Sequence, residues 1–216
     1  MPTSSTRSVD RALDLLSAVT EDGALSLSEA ARRTDLPAST ALRLLRSLEA
    51  AGLVTRDEES DFRPGPRLIQ LGARAYSREP LIAVAREAME AVVARTGESV
   101  YLSVRGLGET AVYIAIVEGT HAVRHANWVG RTVPLAGTAA GQAFRGEISA
   151  GQYTRRADSV EQDVTAFSAP VVVGGMIVGA LSSLVPTYRC TDELGERCGE
   201  ALVAATTRIA HALGGD

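Results

Sequence analysis

Between Pro37 and Gly52 the chain reads P-A-S-T-A-L-R-L-L-R-S-L-E-A-A-G. A helix turns by about 100° per residue. On that wheel Arg46, Ser39, Ala50, Arg43, Ser47 and Thr40 fall within roughly a third of the circle. Leu42, Leu44, Leu45, Leu48, Ala41 and Ala51 fill most of the remainder, and only Glu49 interrupts them. A wide Leu/Ala face demands a core. A narrow Ser/Thr/Arg face without bulk suits a polar surface laid against it. The preceding stretch, Leu25 to Leu36, reads as a short helix and a tight turn, so the pair reads as a DNA-binding helix-turn-helix.

The flanking residues extend this pattern. Ser8 to Thr20 predicts a first helix with Val9, Ala12, Leu13, Leu16 and Val19 on one face, ended by Glu21-Asp22-Gly23. Ser28 is expected to cap the second helix, Glu29 to Arg33, with Ala24 to Leu27 extended before it. Thr34-Asp35-Leu36 is the turn, and Pro37 opens the third helix, where a missing N–H costs nothing. Gly52 stops that helix in a left-handed cap. Leu53 to Arg56, the polar turn Asp57 to Asp61, and Phe62-Arg63 then form a β-wing. Pro64-Gly65-Pro66 breaks the chain, and Arg67 to Arg78 predicts a linker helix.

From Pro80 the texture changes. Leu81 to Thr96 predicts an Ala-rich amphipathic helix closed by Gly97. Strands follow at Ser99 to Arg105, Ala111 to Glu118 and Val123 to Val129. Val133 to Ala143 holds a Gly/Thr/Ala loop entering a helix. Ala169 to Val173 and Met176 to Leu184 form a hairpin around Gly174-Gly175. Thr191 to Leu213 closes the chain as a helix with Leu194, Cys198, Ala201, Leu202, Ala205, Ile209 and Leu213 inward. The expected organisation is a winged helix-turn-helix domain over 1–65, a linker helix over 66–78, and an antiparallel α+β domain over 79–216.

The 216 residues carry a net charge of −4. Residues 1–78 hold eleven Arg against eleven acids, so the basic signal is local: Arg43 and Arg46 on the third helix, with Arg32, Arg33, Arg56 and Arg63 nearby. Such a balance suits a sequence-specific regulator better than a protein that coats nucleic acid. No apolar run approaches bilayer length, and MPTSSTRSVDRALDLL lacks an apolar signal core, so a cytoplasmic location is expected. The two cysteines, Cys190 and Cys198, are expected to be reduced.

Other motifs carry less. His121 and His125, four apart beside Trp128, have no third metal ligand nearby, and no metal is assigned. Cys198 falls on an apolar helix face and reads as core, so no Cys–His catalytic pair is assigned. Arg105-Gly-Leu-Gly-Glu is a hairpin turn, because no Lys or Ser/Thr follows and no helix opens there. Ser182-Ser183 fits a ligand contact or ordinary strand serines, and Trp128 fits a pocket, an interface or a core.

Taken in order, RALDLLSAV, LSLSEAARRTDLPASTALRLLRSLEAAGLV, FRPGPRLIQLG, RTGESVYLSV, VPLAGTAAGQA and FSAPVVVGGMIVGALSSLVP resemble the IclR family of bacterial transcriptional regulators. The resemblance runs over nearly the whole chain. It implies DNA binding as homodimers or dimer pairs through the first domain. The implied second domain is a GAF-like antiparallel α/β domain that takes a small organic effector. Carried over residue by residue, Pro37, Ala38, Ser39, Thr40 and Arg43 contact DNA, and the helical wheel adds Arg46 and Ser47. Arg56 and Arg63 at the wing stem would meet the backbone, while Asp57, Glu58, Glu59 and Asp61 repel phosphate from the wing tip. The implied effector residues are Leu135, Thr138, Ala139 and Ala140 ahead of a helix, Val164 and Ala166 on a strand, Ser182 and Leu184 on another, and the upstream acid Asp158 or Glu161.

Two departures from the family pattern stand out. Only about a dozen residues link Gly141 to Tyr153, where the family has a helix, a loop and a second helix. Leu184 replaces a residue that is polar in relatives that bind small acids, and Ala166 replaces a frequent Cys. Both favour an apolar or aromatic effector, or none. No cofactor and no enzymatic reaction are implied. The alternatives are an effector-blind regulator, or a winged-helix protein-interaction module with a structural or catalytic second domain.

Overall fold

A computed structural model describes residues 6–214. Its contacts divide the chain into two compact units, one up to Arg78 and one from Glu79 onward.

The first unit holds α1 (Arg7–Asp22), α2 (Leu27–Arg33), α3 (Ala38–Ala50), β1 (Val54–Arg56), β2 (Phe62–Pro64) and α4 (Pro66–Tyr76). Gly23 ends α1 at φ +78°, a conformation that costs glycine no Cβ clash. Helix α2 is capped by Ser26, not by Ser28. The Ser26 hydroxyl accepts from the Glu29 amide, and the Glu29 carboxylate accepts from the Ser26 amide. This reciprocal box satisfies two otherwise free donors, so the helix starts two residues earlier than expected. Ser28 and Leu27 therefore lie inside α2 rather than before it.

Pro37 is the N-cap of α3 rather than its first helical residue. At the other end Gly52, at φ +72°, donates to Glu49 O, and Leu53 donates to Leu48 O. These are the paired bonds of a Schellman cap. Leu15, Val19, Ala30, Ala41, Leu45, Leu48, Val54 and Phe62 bury one continuous core. Leu45 is wholly buried, and truncating such a leucine costs about 2–5 kcal/mol. Helix α4 is tied to this core by Arg67, whose guanidinium donates to Ala51 O at 3.0 Å, where the carbonyls of α3 run out.

The second unit contains α5 (Pro80–Thr96), β3 (Val100–Arg105), β4 (Thr110–Val117), β5 (Thr132–Pro134), α6 (Ala139–Phe144), β6 (Thr154–Ala157), β7 (Val164–Val173), β8 (Met176–Pro186) and α7 (Asp192–Ala212). Six strands form one antiparallel sheet in the order β5-β4-β3-β8-β7-β6. Alternation sends Val100, Leu102, Phe167, Ala169, Leu181 and Val185 to one face, against α5 and α7. Tyr101, Tyr113, Ala166, Ala180 and Leu184 go to the other face, against α6. Bulges at Leu102/Ser103 and at Val171/Val172 keep these faces in register.

Several expectations fail in this unit: β5, for one, starts at Thr132 and runs into the stretch expected to be a loop. Residues 123–129 form no strand. The edge of β4 beside Tyr113 is already occupied, since Gly130 donates to Tyr113 O and Tyr113 donates to Arg131 O. Conversely β6 appears where no strand is expected. Its Thr-Arg-Arg-Ala sequence is too polar and short to announce one, and its pairing with β7 fixes it. Helix α6 begins at Ala139 with Thr138 as N-cap, so Ala139 and Ala140 are helical rather than loop residues. Cys198 is buried and Cys190 half-buried, both as free thiols, and burial pushes the Cys198 thiol up to about 12. Among the described residues no helix is long and apolar enough to cross a membrane.

Candidate nucleic-acid interface and effector face

The Leu/Ala face of α3 is spent on the core, which leaves its opposite face outward. Ala38, Ser39, Arg43, Arg46, Ser47 and Ala50 are exposed and Thr40 is half-buried. Arg43 and Arg46 have no ion pair among the described residues. Ser47 donates to Arg43 O at 3.1 Å, a bond back along its own helix. Pro37 supplies no side-chain cap, so the first-turn amides of α3 are unclaimed by any side chain. The turn that delivers α3 is tight: Asp35 sits at φ +50°, and Leu36 donates to Ala31 O. This part of the first unit therefore presents a small polar face bearing two guanidinium groups without an ion pair among the described residues.

The wing is electrostatically self-contained. Arg63 Nε donates to Asp57 Oδ2 at 2.5 Å, and Asp57 Oδ1 accepts from the Glu59 and Asp61 amides. The Arg63 bond holds the Asp57 carboxyl below the usual carboxylate range. Arg56 lies 3.6 Å from Glu49 and stacks 4.5 Å above the Phe62 ring. Both stem arginines thus already have carboxylate partners, and each phosphate contact would compete with one.

In the second unit, cross-strand pairing brings most of the candidate effector residues to the α6 face. Ala166 pairs with Leu184, and Ser168 with Ser182, which pairs in turn with Tyr101. Leu135 and the α6 residues Ala139 and Ala143 cover that face. Thr138 Oγ1 donates to Pro134 O and accepts from Gly141 N, which fixes the loop ahead of α6. Leu135, Thr138, Ala139, Ala140, Ala166, Ser182 and Leu184 are each at most 3% exposed, so all seven are packed inside the unit. Val164 belongs to the same cluster. Asp158 does not join them. It sits exposed at a turn with φ +52°, and its carboxylate accepts from Asp163 N.

Residues that no motif marks complete this face. Thr154 and Arg156 of β6 pair with Ser168 and Ala166, and both donate to Gln142 Oε1 of α6. Thr154, Ser168, Ser182 and Tyr101 thereby form a row of hydroxyls across four strands. Tyr101 and Tyr113 lie 4.8 Å apart, and Trp128 is 6.4 Å from Tyr113. Strict alternation along β3 is the one signal that could place Tyr101 here. His121 points to Glu98 and His125 to Tyr101 and Glu161. Among the described residues no group of three or more His, Cys, Asp or Glu is arranged to hold a metal.

Residues 8–58 match the IclR helix-turn-helix domain model, and residues 73–146 match the model for the C-terminal part of the bacterial transcriptional regulator IclR. The HTH-type transcriptional regulator KipR of Bacillus subtilis (strain 168) is 30% identical over 129 residues, covering 60% of this chain and 51% of the relative. The transcriptional repressor IclR of Escherichia coli (strain K12) is 28% identical over 156 residues, 71% of this chain and 57% of that protein. The chain spans about half the length of the curated relatives it matches. An IclR transcriptional regulator from Alicyclobacillus acidocaldarius superposes with a TM-score of 0.81 at 25% identity, over 96% of this chain and 98% of that one. An IclR homolog from Microbacterium hydrocarbonoxydans, solved with 4-hydroxybenzoate, shares the fold at a TM-score of 0.77 and 22% identity, over 96% and 99%. A helix-turn-helix with an exposed Ser/Thr/Arg face, an antiparallel second unit and two matching family models make this chain a member of the IclR family of transcriptional regulators.

Proposed function

We propose that α3 enters the major groove of an operator, where Arg43 and Arg46 contact base edges and Ser39, Thr40 and Ser47 make short polar contacts. The observation that carries this is the exposed α3 face with its two unpaired arginines. A guanidinium can take two acceptors of guanine at once, worth about 1–3 kcal/mol of discrimination. The uncapped amides after Pro37 suit a phosphate oxygen. Arg56 and Arg63 serve the backbone only by leaving Glu49 and Asp57, so α3 carries the specificity.

The protein acts as a homodimer. Helix α4 buries none of its residues in its own unit, and Ile69, Leu71 and Tyr76 are exposed. On α1, Val9 and Leu13 are each 53% exposed one helical turn apart. Apolar stripes of this kind on two helices of one unit suit burial against a second copy. Two copies then read a pseudo-palindrome.

A small apolar or aromatic effector binds at the α6 face, through Leu135, Thr138, Ala139, Ala140, Val164, Ala166, Ser182 and Leu184. The apolar lining supports this, as does the homolog solved with 4-hydroxybenzoate. Binding shifts operator affinity only by as much as the effector's own affinity differs between the two arrangements. The tight burial of the same residues favours an effector-blind regulator as the second reading.

A mobility shift on DNA upstream of its own gene, with genomic fragment selection, tests the DNA reading. Retention of a discrete palindromic fragment is expected, and failure to shift any genomic DNA would overturn it. A thermal-shift screen of aromatic and small organic acids tests the effector, where no stabilisation by any compound leaves the effector-blind regulator.

A further inference from the structure

Residues 118–131 run between β4 and β5 as irregular chain. Near the two ends, main-chain amides of the segment donate to the rest of the unit. Gly119 donates to Ser99 Oγ and Thr120 to Gly97 O, while Gly130 donates to Tyr113 O. The middle is held by side chains. Arg189 donates to Val123 O at 2.9 Å, and the Tyr101 phenol donates to Ala126 O. His125 Nδ1 lies 2.8 Å from the same phenol oxygen, and Trp128 meets the His125 ring edge-on at 4.5 Å. Trp128 packs on the cluster that contains Leu135, Ala139, Ala166 and Leu184.

The phenol has one proton, and Ala126 O can only accept. The Nδ1 contact therefore makes His125 the donor and fixes its proton on Nδ1. In the neutral ring Nε2 is then a bare lone pair. It faces Glu161 Oε2 at 3.2 Å and lacks a hydrogen-bond partner, although the side chain is only 2% exposed. A second proton on Nε2 would lie near Glu161 without hydrogen-bond alignment to it. It would also place a cation in a nearly dry position, with Arg131 as a like charge and Tyr101 and Glu161 as the other titratable neighbours.

We propose that residues 118–131 are a strap over the α6 face, latched by the His125–Tyr101 bond, and that placing a second proton on His125 in this nearly dry position releases it. This deepens the effector reading and rests on it: the opened strap is the entrance to the Ser168–Ser182 hydroxyl row. Burial is the larger influence on the ring and pulls its pKa below the usual histidine value, with Glu161 opposing. A depressed pKa means that the closed strap is fully stable above about pH 6.5 and loses stability as pH falls below it.

Trp128 is the lone tryptophan, so intrinsic fluorescence of the full chain reports this latch directly. Titration between about pH 5 and pH 8 should show one transition, with its midpoint below about 6.5. An imidazolium at the indole edge quenches emission, and release of the indole moves emission to the red. His125→Gln should abolish the transition, His121→Gln should leave it, and Glu161→Gln should move its midpoint lower. Amide exchange of residues 121–129, corrected for its intrinsic pH dependence, should rise on the acid side. A transition that survives in folded His125→Gln would overturn the proposal, as would a flat wild-type titration with pH-independent exchange. Should His125→Gln fail to fold, the Glu161→Gln midpoint decides: no shift, or a shift upward, overturns the latch. No ligand enters this test, so its failure would leave the effector reading standing, and an empty ligand screen would leave the strap standing.

Discussion

Gly141→Ala is a demanding test of how the α6 face is built. A Cβ at this position would sit 1.7 Å from Leu135 O, 2.4 Å from Leu135 C and 2.7 Å from Leu135 Cα. All three are backbone atoms, so no side chain can rotate away. The Leu135 peptide is held where it is: its N–H donates to Glu109 O at 2.9 Å, and its side chain is 1% exposed. On the α6 side, Thr138 clamps both Pro134 O and Gly141 N. Relief requires the helix and the loop to part by more than an ångström. Overpacking a well-filled core costs about 1–3 kcal/mol when side chains can adjust, so a backbone collision belongs at or above about 3 kcal/mol. For a unit of this size that is a fall in Tm of roughly 10–15 °C. Gly72→Ala is the matched control, since nothing lies within 4 Å of its Cβ position on α4. It should be neutral or gain up to about 1 kcal/mol from helix propensity. Calorimetry of both variants reads the difference. A Gly141→Ala protein within about 0.5 kcal/mol of wild type would refute the close approach.

Other perturbations probe separate parts of the account. Glu98 is fully buried and accepts two bonds from Arg189, at 2.6 and 2.9 Å. Glu98→Gln should cost about 3 kcal/mol by leaving that guanidinium half-partnered, and denaturant unfolding measures it. In the wing, the Asp57 carboxyl is held below its ordinary range chiefly by Arg63. A depressed carboxylate pKa contributes stability that is present above the ordinary value and lost as pH falls through the folded one. The Glu59 and Asp61 amide resonances should therefore move together on acidification, and Arg63→Gln should move that step toward higher pH. Ser26→Ala removes the capping box of α2 and should lower stability by about 1 kcal/mol, whereas Ser28→Ala should have little effect.

Where local physics dominates, the sequence is readable. The left-handed glycines after α1, α3 and α5 mark helix ends that the structure keeps at Gly23, Gly52 and Gly97. The α3 wheel separates buried Leu44, Leu45 and Leu48 from exposed Arg43 and Arg46. Even the α2 cap is legible in Ser26-Leu-Ser-Glu29, because Glu29 stands three residues after Ser26 and only one after Ser28. Tertiary competition hides the rest. Val123, His125, Asn127 and Val129 alternate as a strand would, but the strand edge they need is taken by Gly130 and Arg131. β6 lacks any apolar pattern and exists because β7 offers it an edge. Tyr101 reaches the candidate effector face through pairing with Ser182, a distance of about 80 residues that no spacing rule spans.

The central claim is that the exposed face of α3 reads the operator. Its most direct test is the affinity of folded Arg43→Ala/Arg46→Ala for the fragment that wild type selects, measured at several salt concentrations. Two lost guanidinium contacts predict a penalty of roughly 2–6 kcal/mol on that fragment, thirtyfold or more, and a much smaller penalty on unrelated DNA. Equal binding of the selected fragment by the double variant and wild type would contradict the account.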